Sequence, residues 1–155
     1  MTTVRLWRCS SFLHRHGYRR LGRVVQRLNG FLHHNDLGAA RLGPGVWLGH
    51  RGLGVVVHDN VVLGARVRLW HNVTLAVRAK PGSEHRIVIG DDVMIGANAV
   101  VITPRFTSLH IGPGARIGAG AVVVTNVAPG ATVVGTPARP LPSHSSHDHE
   151  GFRAL

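Results

Sequence analysis

The feature of this sequence that most constrains its fold is a six-residue period that runs through its middle. Each hexad begins with an aliphatic residue, often followed by Gly, and has a small or aliphatic residue at its fifth place. Hexads are assigned from Leu42, Val57, Leu63, Leu69, Ile89, Ile95, Ile111, Ile117, Val123 and Pro129. An aliphatic residue at every sixth position does not form one face of an α-helix, whose period is 3.6 residues. The pattern fits short strands joined by tight turns.

Three such hexads complete one triangular coil, so residues 18 apart are expected to stack at about 4.8 Å, the usual distance between β-strands. First-place aliphatics would fill the interior, and second-place Gly would supply turn conformations that a Cβ strains. The sequence therefore predicts an all-β solenoid, a parallel β-helix. Such a solenoid needs few large rings, in keeping with an aromatic content of 5%.

The charge of the chain is strongly positive, with 18 Lys and Arg against 7 Asp and Glu, a net charge of +11. This charge calls for an anionic partner: nucleic acid, acidic lipid and phosphate-bearing cofactors all qualify. No apolar run approaches the roughly 20 residues that span a bilayer. Cys9 is the only cysteine, which excludes an internal disulfide and fits a reducing compartment.

The first 35 residues contain no acidic residue and mix Arg and His with aliphatics. Four aliphatics recur at helical spacing and share one face: Leu21, Val24, Val25 and Leu28. Gly17 and Gly22 interrupt the pattern, which favours one or two short helices over a single long one. We interpret residues 1–35 as a helical cap packed on the coil. An organellar transit peptide and an interfacial helix are the alternatives.

The chain therefore divides into three parts. The helical cap covers residues 1–35 and the β-helix covers residues 36–139. Residues 140–155 are polar and rich in His, a composition typical of a disordered tail.

The repeat from Asp36 to Arg139 resembles that of the hexapeptide-repeat acyltransferases, whose parallel β-helix is left-handed. Within them it is most similar to the serine O-acetyltransferase group. The resemblance implies an O-acetyltransferase that uses acetyl-CoA as co-substrate, with no metal, and that forms a cytoplasmic homotrimer with active sites in clefts between neighbouring coils. It implies neither nucleic acid nor membrane as a partner. The acceptor is left open between serine and a sugar or other small hydroxyl compound.

The first break in the repeat surrounds His50. Nine residues separate Leu48 from Val57, where six would keep the phase. The family carries Asp-His-x-x-Gly at this corner, and its His is the general base that takes the proton of the acceptor hydroxyl. The resemblance assigns that role to His50. Gly49 stands where the family has an Asp that contacts the amino-acid acceptor.

A second Asp in the family, about one coil upstream, orients the catalytic His. Straight counting from His50 places Asn35 at that position, whereas a one-residue deletion places Asp36 there. We assign the role to Asp36, because a carboxylate beside an imidazole stabilises the imidazolium that forms in the reaction. Capping of the first coil turn is the alternative role of Asp36.

The second break runs from Leu75 to Ile89 and includes a basic excursion. The family has an excursion of similar length that ends in Arg-His-Pro, and those two side chains reach the acceptor and the cofactor side of the neighbouring site. This chain has His85 and Arg86 in reversed order. The resemblance makes both candidates for acceptor binding; a basic solvent-exposed loop is the alternative.

The third break, between Val101 and Ile111, contains an insertion, residues 103–106, that the serine acetyltransferase pattern lacks. Coenzyme contacts are implied by resemblance at four positions along the coil edge: Ala97, Arg116, Ala119 and Arg139. Arg116 replaces a family Lys, and its guanidinium can still pair with nucleotide phosphates.

Two alternatives to an acetyltransferase remain open. The γ-type carbonic anhydrases share the β-helix and bind zinc through three His, two of them five residues apart. No pair of His within the coil has that spacing, whether from His50, His58, His71 or His85. The other alternative is a non-enzymatic basic protein that binds nucleic acid or membrane. Such a protein should interleave aromatics with basic residues, whereas Trp47 and Trp70 lie in hexads.

Overall fold

Two helices precede the repeat, and the turn between them contains Gly17. The computed structural model of the chain describes residues 2–80 and 82–142. Helix α1 covers Thr3–Arg15 and helix α2 covers Arg19–His33. Gly17 lies between them with φ of 86°, in the left-handed region that a residue without a Cβ enters freely. The glycine thus separates two short helices.

Short strands follow and form three parallel sheets, one on each side of a triangular coil. Sheet A contains β1 (Asp36–Leu37), β4 (Val56–Val57), β7 (Thr74–Ala76), β10 (Val100–Ile102) and β13 (Val122–Val123). Sheet B contains β2 (Arg41–Leu42), β5 (Val61–Leu63), β8 (Ile87–Ile89) and β11 (Leu109–Ile111). Sheet C contains β3 (Trp47–Leu48), β6 (Arg68–Leu69), β9 (Met94–Ile95), β12 (Arg116–Ile117), β14 (Thr132–Val134) and the antiparallel β15 (Arg139–Pro140). The predicted parallel β-solenoid is confirmed.

The length of a coil varies because insertions lie at its corners. Val57 pairs with Leu75, an interval of three hexads that leaves no room for an insertion. Leu48 pairs with Leu69, and Leu69 in turn pairs with Ile95. Both of these intervals exceed three hexads, because one includes the first break and the other includes the second. The insertions leave the strand register intact, so the sheets continue past every break.

First-place and fifth-place side chains fill the interior as the period predicts, but the assigned frame is wrong in the final coil. Val127 pairs with Ile111, and Val133 pairs with Ile117, so the two valines occupy first places. Pro129, expected to point inward, is exposed. The turn that follows Val123 is two residues shorter than a hexad, and counting by sixes cannot detect this.

Glycines at second places let the backbones of neighbouring coils approach each other closely. They do not adopt the turn conformation that we expected of them. A Cβ on Gly43 would lie 2.7 Å from the backbone nitrogen of Ala65 in the next coil. Left-handed backbone occurs instead at the fourth place, for example at Asn72 (φ 56°) and Asn98 (φ 59°). Asn tolerates this region better than most residues, so it can stand at a fourth place where other coils have Gly.

The fourth place also carries an exposed ion pair between successive coils. The Arg66 guanidinium donates hydrogen bonds of 2.7 and 2.6 Å to the two carboxylate oxygens of Asp92. The hydrogen bond from Arg66 lowers the pKa of Asp92, and the same bond raises the pKa of Arg66. Because both groups are exposed, the pair contributes little to stability.

Helix α1 docks on the first coil, whereas the apolar face of α2 does not. The Trp7 side chain is fully buried, and its indole N–H donates a 2.8 Å hydrogen bond to the carbonyl of Gly38. The face formed by Leu21, Val24 and Leu28 is exposed to solvent. Helix α2 contacts α1 through a different face.

Candidate active site

His50 lies in a strained loop at the corner where the chain passes from sheet C to sheet A. We call this the C–A corner. His50 (φ 49°, ψ 38°) and Arg51 (φ 59°, ψ 20°) both have left-handed backbone within the turn Gly49–Gly52. The loop is held by a 2.7 Å hydrogen bond from the Thr3 hydroxyl to the carbonyl of Arg51. Strained backbone that surrounding contacts hold in place is common at functional sites.

The residues at the same place in successive coils form a column beneath His50. Leu48 pairs with Leu69, so His71 stacks next to His50. The carbonyl of His71 accepts a 3.1 Å hydrogen bond from the Asn98 amide, which places Ala97 next in the column. Ala119 follows, since the carbonyl of Ala97 accepts a 2.8 Å bond from the Gly120 amide. The C–A corner therefore carries an imidazole pair followed by two small side chains.

His71 is a candidate site residue that the sequence analysis did not identify. Its ring centroid lies 4.9 Å from that of His50, with the two planes at 89°. Its Nδ1 atom is buried and has no hydrogen-bond partner among the described residues. The distance in sequence from His50 to His71 equals three ideal hexads plus the insertion at the first break. The sequence therefore contains the information that these two residues stack.

Two tryptophans form an aromatic wall beside His50. The rings of Trp47 and Trp70 meet edge to face, with centroids 5.3 Å apart. A Cβ on Gly49 would lie 3.0 Å from the Trp70 ring and 3.3 Å from the Trp47 ring. The two rings thus occupy the space that a larger residue at position 49 would need. A groove of about 510 Å³ opens beside the wall and is lined by Trp47, Arg51 and Thr3, among others.

Asp36 opens the first coil, immediately before the interior Leu37. Leu37 pairs with Val57 and is 2% exposed, so it occupies a first place. Asp36 therefore directly precedes an inward-pointing side chain of the first coil. The hydrogen-bond partner of its carboxylate is the Gln26 amide, at 3.2 Å. Among the described residues no hydrogen bond joins Asp36 to His50, so the assigned pairing stays a prediction.

His85 and Arg86 lie at a different corner from His50 within one chain. They immediately precede β8, where the chain passes from sheet A to sheet B, which we call the A–B corner. The His85 ring lies 6.4 Å from Phe106, and the Arg86 amide donates a 3.1 Å bond to the Ser108 hydroxyl. The insertion predicted at residues 103–106 therefore packs against this excursion.

The boundaries of that insertion differ from the prediction. Thr103 is 1% exposed, and its hydroxyl accepts a 3.0 Å hydrogen bond from the Arg78 amide. Thr103 thus belongs to the interior of the coil. The exposed loop covers residues 104–108.

Asn60 anchors the excursion from within the A–B corner. Its Nδ2 atom lies within 3.0–3.4 Å of the Ser83 hydroxyl and of the carbonyls of Lys80, Ser83 and His85. Its Oδ1 atom accepts a 2.8 Å bond from the Gly82 amide. One side chain thus holds the segment that presents His85.

We expect Asn60→Ala to loosen this segment without unfolding the coil. A hydrogen bond contributes about 1 kcal/mol, so loss of several should speed amide exchange at Gly82 and Ser83 by roughly tenfold or more. Hydrogen–deuterium exchange with mass spectrometry measures this. Asn126→Ala is the matched control, because it removes only the 2.8 Å bond from the His110 amide. Unchanged exchange in Asn60→Ala would contradict the anchoring role.

The candidate coenzyme residues lie toward the C-terminal end of the coil. Ala97 and Ala119 belong to the column at the C–A corner. Arg116 is exposed on sheet C, and Arg139 is exposed in β15, where it pairs with Val134 of β14. The two guanidinium groups thus lie on the sheet that adjoins the alanine column.

No metal cluster or membrane-crossing helix occurs in the part of the chain that the structure describes. Residues 2–80 and 82–142 contain no group of three His, Cys, Asp or Glu side chains suited to a metal ion. No helix in those ranges is long and apolar enough to cross a bilayer. The predicted tail from residue 143 onward lies outside the described residues.

The coil and the His50 corner together define a hexapeptide-repeat β-solenoid, and comparison with known proteins agrees. The family described as the hexapeptide repeat of succinyl-transferase matches residues 86–125. The serine acetyltransferase of Mycobacterium tuberculosis is 37% identical over 131 residues, which cover 84% of this chain and 55% of that protein. The chain thus belongs to the hexapeptide-repeat acyltransferase superfamily and is serine acetyltransferase-like.

Solved structures show the same similarity. The crystal structure of Neisseria gonorrhoeae serine acetyltransferase is 38% identical, with a TM-score of 0.81, over 90% of this chain and 53% of that one. A Brucella abortus serine acetyltransferase in complex with coenzyme A is 29% identical, with a TM-score of 0.77, over 89% of this chain and 54% of that one. The chain thus spans about half the length of these relatives.

Proposed function

We propose that this chain is an acetyl-CoA-dependent O-acetyltransferase in which His50 removes the proton of an acceptor hydroxyl. The observation that carries the proposal is the column at the C–A corner, where an exposed imidazole stands next to a half-buried one and two small side chains. The similar Mycobacterium tuberculosis protein is a serine acetyltransferase, and the similar Brucella abortus structure contains coenzyme A. Both fit an acetyl donor and a hydroxyl acceptor that meet at this corner.

In this proposal the reaction needs one base and a correctly placed thioester. The acceptor oxygen attacks the thioester carbonyl carbon while the His50 imidazole takes the hydroxyl proton. The carbon–sulfur bond then breaks, and the proton passes to the departing sulfur to give the free thiol. A positioned general base contributes on the order of 10²–10⁴ in rate, and holding both reactants together contributes much of the remainder.

The column offers a surface for the donor. Ala97 and Ala119 leave the corner open below the imidazoles, so we place the thioester arm along it. Arg116 and Arg139 are exposed on the adjoining sheet, where their guanidinium groups can pair with the nucleotide phosphates of the coenzyme.

We also propose that the site is completed between subunits of a homotrimer. His85 and Arg86 lie at the A–B corner, away from His50 within the chain. A neighbour whose A–B corner faces the C–A corner would bring both side chains to the acceptor. We place Asp36 as the group that orients His50 in the assembled site, and we place the protein in the cytoplasm, in keeping with the free thiol of Cys9.

Serine is the first candidate acceptor, since the similar proteins are serine acetyltransferases. A sugar hydroxyl is the second, because the structure places an aromatic wall beside His50. The C–H face of a sugar ring packs favourably on the negative face of an aromatic ring. Gly49 supplies no carboxylate for the ammonium group of serine. The groove beside Trp47 offers room for the rest of a larger acceptor.

The proposal is tested with the purified protein, acetyl-CoA and a panel that contains serine and uncharged sugars. We expect thiol release that depends on an acceptor and exceeds slow hydrolysis without one. If the acceptor is a sugar, Trp70→Ala should raise its KM about tenfold, as expected when roughly 1.4 kcal/mol of stacking is lost. If the acceptor is serine, that KM should change little. Absence of acceptor-dependent release with every compound would contradict the proposed function.

A further inference from the structure

Helix α2 presents three different faces around its axis. At about 100° per residue, one face contains Gly22 and Asn29 and packs on α1. The Asn29 amide donates a 3.2 Å hydrogen bond to the carbonyl of Thr3, and a Cβ on Gly22 would meet the His14 ring at 2.6 Å. This contact face is narrow, so most of the helix surface is left to the other two faces.

The second face, which we call the apolar stripe, is exposed. Its large side chains are 48–80% accessible to solvent: Leu21, Val24, Leu28, Phe31 and Leu32. Phe31 has the highest value, 80%. Contiguous exposed apolar surface of this kind marks an interaction site.

The third face borders the stripe and carries only positive charge. It contains four exposed arginines: Arg19, Arg20, Arg23 and Arg27. Residues 1–35 contain no Asp or Glu, so no acidic side chain within this segment neutralises the face. Four of the seven arginines in residues 1–35 thus lie beside the apolar stripe.

We propose that α2 docks on an anionic lipid surface, with the apolar stripe inserted among the headgroups and the arginines paired with lipid phosphates. A helix with a strong apolar face, a basic polar face and no capacity to span the bilayer lies in the membrane interface. Contact between two α2 stripes would bring arginines of like charge together, which disfavours a second copy as the occupant. Nucleic acid would satisfy the arginines but would leave the apolar stripe in water. The inference departs from the absence of a membrane partner expected from the sequence.

Docking through α2 would also position the candidate active site. The carbonyl of His34, the C-cap residue that follows α2, accepts a 2.7 Å hydrogen bond from the Gly54 amide in the His50 loop. The loop is thus tied to the helix, and the C–A corner stays close to the lipid surface. This arrangement suits an acceptor hydroxyl that is presented at a membrane. The docking itself does not depend on the proposed enzymatic function.

Vesicle flotation of the full chain tests the proposal, with vesicles of equal parts phosphatidylglycerol and phosphatidylcholine compared with pure phosphatidylcholine. We expect at least tenfold tighter binding to the anionic vesicles, weakened by added salt. Leu28→Gln with Phe31→Gln should reduce that binding at least tenfold. Arg23→Gln with Arg27→Gln should reduce it by about fivefold for each arginine removed. The exposed controls Leu141→Gln and Arg105→Gln should leave it unchanged.

Three results would overturn the proposal. One is equal or absent binding to the two kinds of vesicle by the wild-type chain. Another is binding to DNA that depends on the arginines, with anionic vesicle binding unaffected by the Leu28 and Phe31 changes. The third is a fall in oligomeric mass, measured by light scattering without lipid, when the stripe is changed. If the double apolar variant melts early, Val24→Gln and Leu32→Gln replace it in the same assay.

Discussion

Replacing His50 by alanine is expected to lower kcat for acceptor-dependent acetyl transfer by about 10²–10⁴-fold, the contribution typical of a positioned general base. The imidazole is exposed at the C–A corner, so its removal should not open a cavity in the core. The melting temperature and the mass of the oligomer should therefore stay at their wild-type values. Steady-state kinetics by thiol release, together with thermal unfolding, measures both quantities.

His110→Ala is the matched control for this prediction. His110 is also exposed, but it lies on β11 in sheet B, away from the C–A corner. Its removal should change kcat by less than about twofold, since it contacts neither candidate substrate surface. A His50→Ala variant with near-normal kcat would contradict the assigned role. In that case His71, which lies 4.9 Å away between ring centroids, would be the next residue to replace.

The fold was predictable from the sequence because the hexad pattern reports the interior directly. Leu63, Leu69 and Ile95 recur in phase, and each of them is buried. The pattern says less about the length of each coil, which depends on turns. The short turn after Val123 moved the frame by two residues, and Pro129 was misplaced as a result.

The candidate site was predictable only where a residue stands out in the linear sequence. His50 does so, because it lies within a break in the repeat. His71 does not, because it lies inside a regular hexad and meets His50 only through the insertion that lengthens the first coil. The lengths of the insertions determine which residues of neighbouring coils stack on each other. The six-residue period does not reveal those lengths.

The packing of the apolar stripe of α2 was likewise not predictable from local spacing. The spacing of Leu21, Val24 and Leu28 predicts that they share a face of a helix. It does not determine what covers that face. In the structure the small side of the helix, at Gly22, approaches α1 instead, because a residue without a Cβ lets the His14 ring come close.

Gly112→Ala is expected to lower the melting temperature by roughly 6–12 °C, since overpacking a tight contact costs up to about 3 kcal/mol. The added Cβ would lie 2.7 Å from the Cα of Pro129 and closer still to its backbone nitrogen. Backbone atoms cannot rotate away as a flexible side chain can, so the final coil must move. Thermal unfolding followed by circular dichroism measures the shift.

Gly130→Asn separates close approach from backbone conformation as the cause. Gly130 has φ of 67°, and a Cβ placed on it meets no atom within 4 Å. Asn72 and Asn98 have φ of 56° and 59° at the fourth places of hexads at the C–A corner. Asn at position 130, the fourth place of a later hexad, should therefore change the melting temperature by less than about 2 °C. Equal losses in the two variants would contradict the explanation. A larger loss in Gly112→Ala alone would establish that second-place glycines serve the contact between coils.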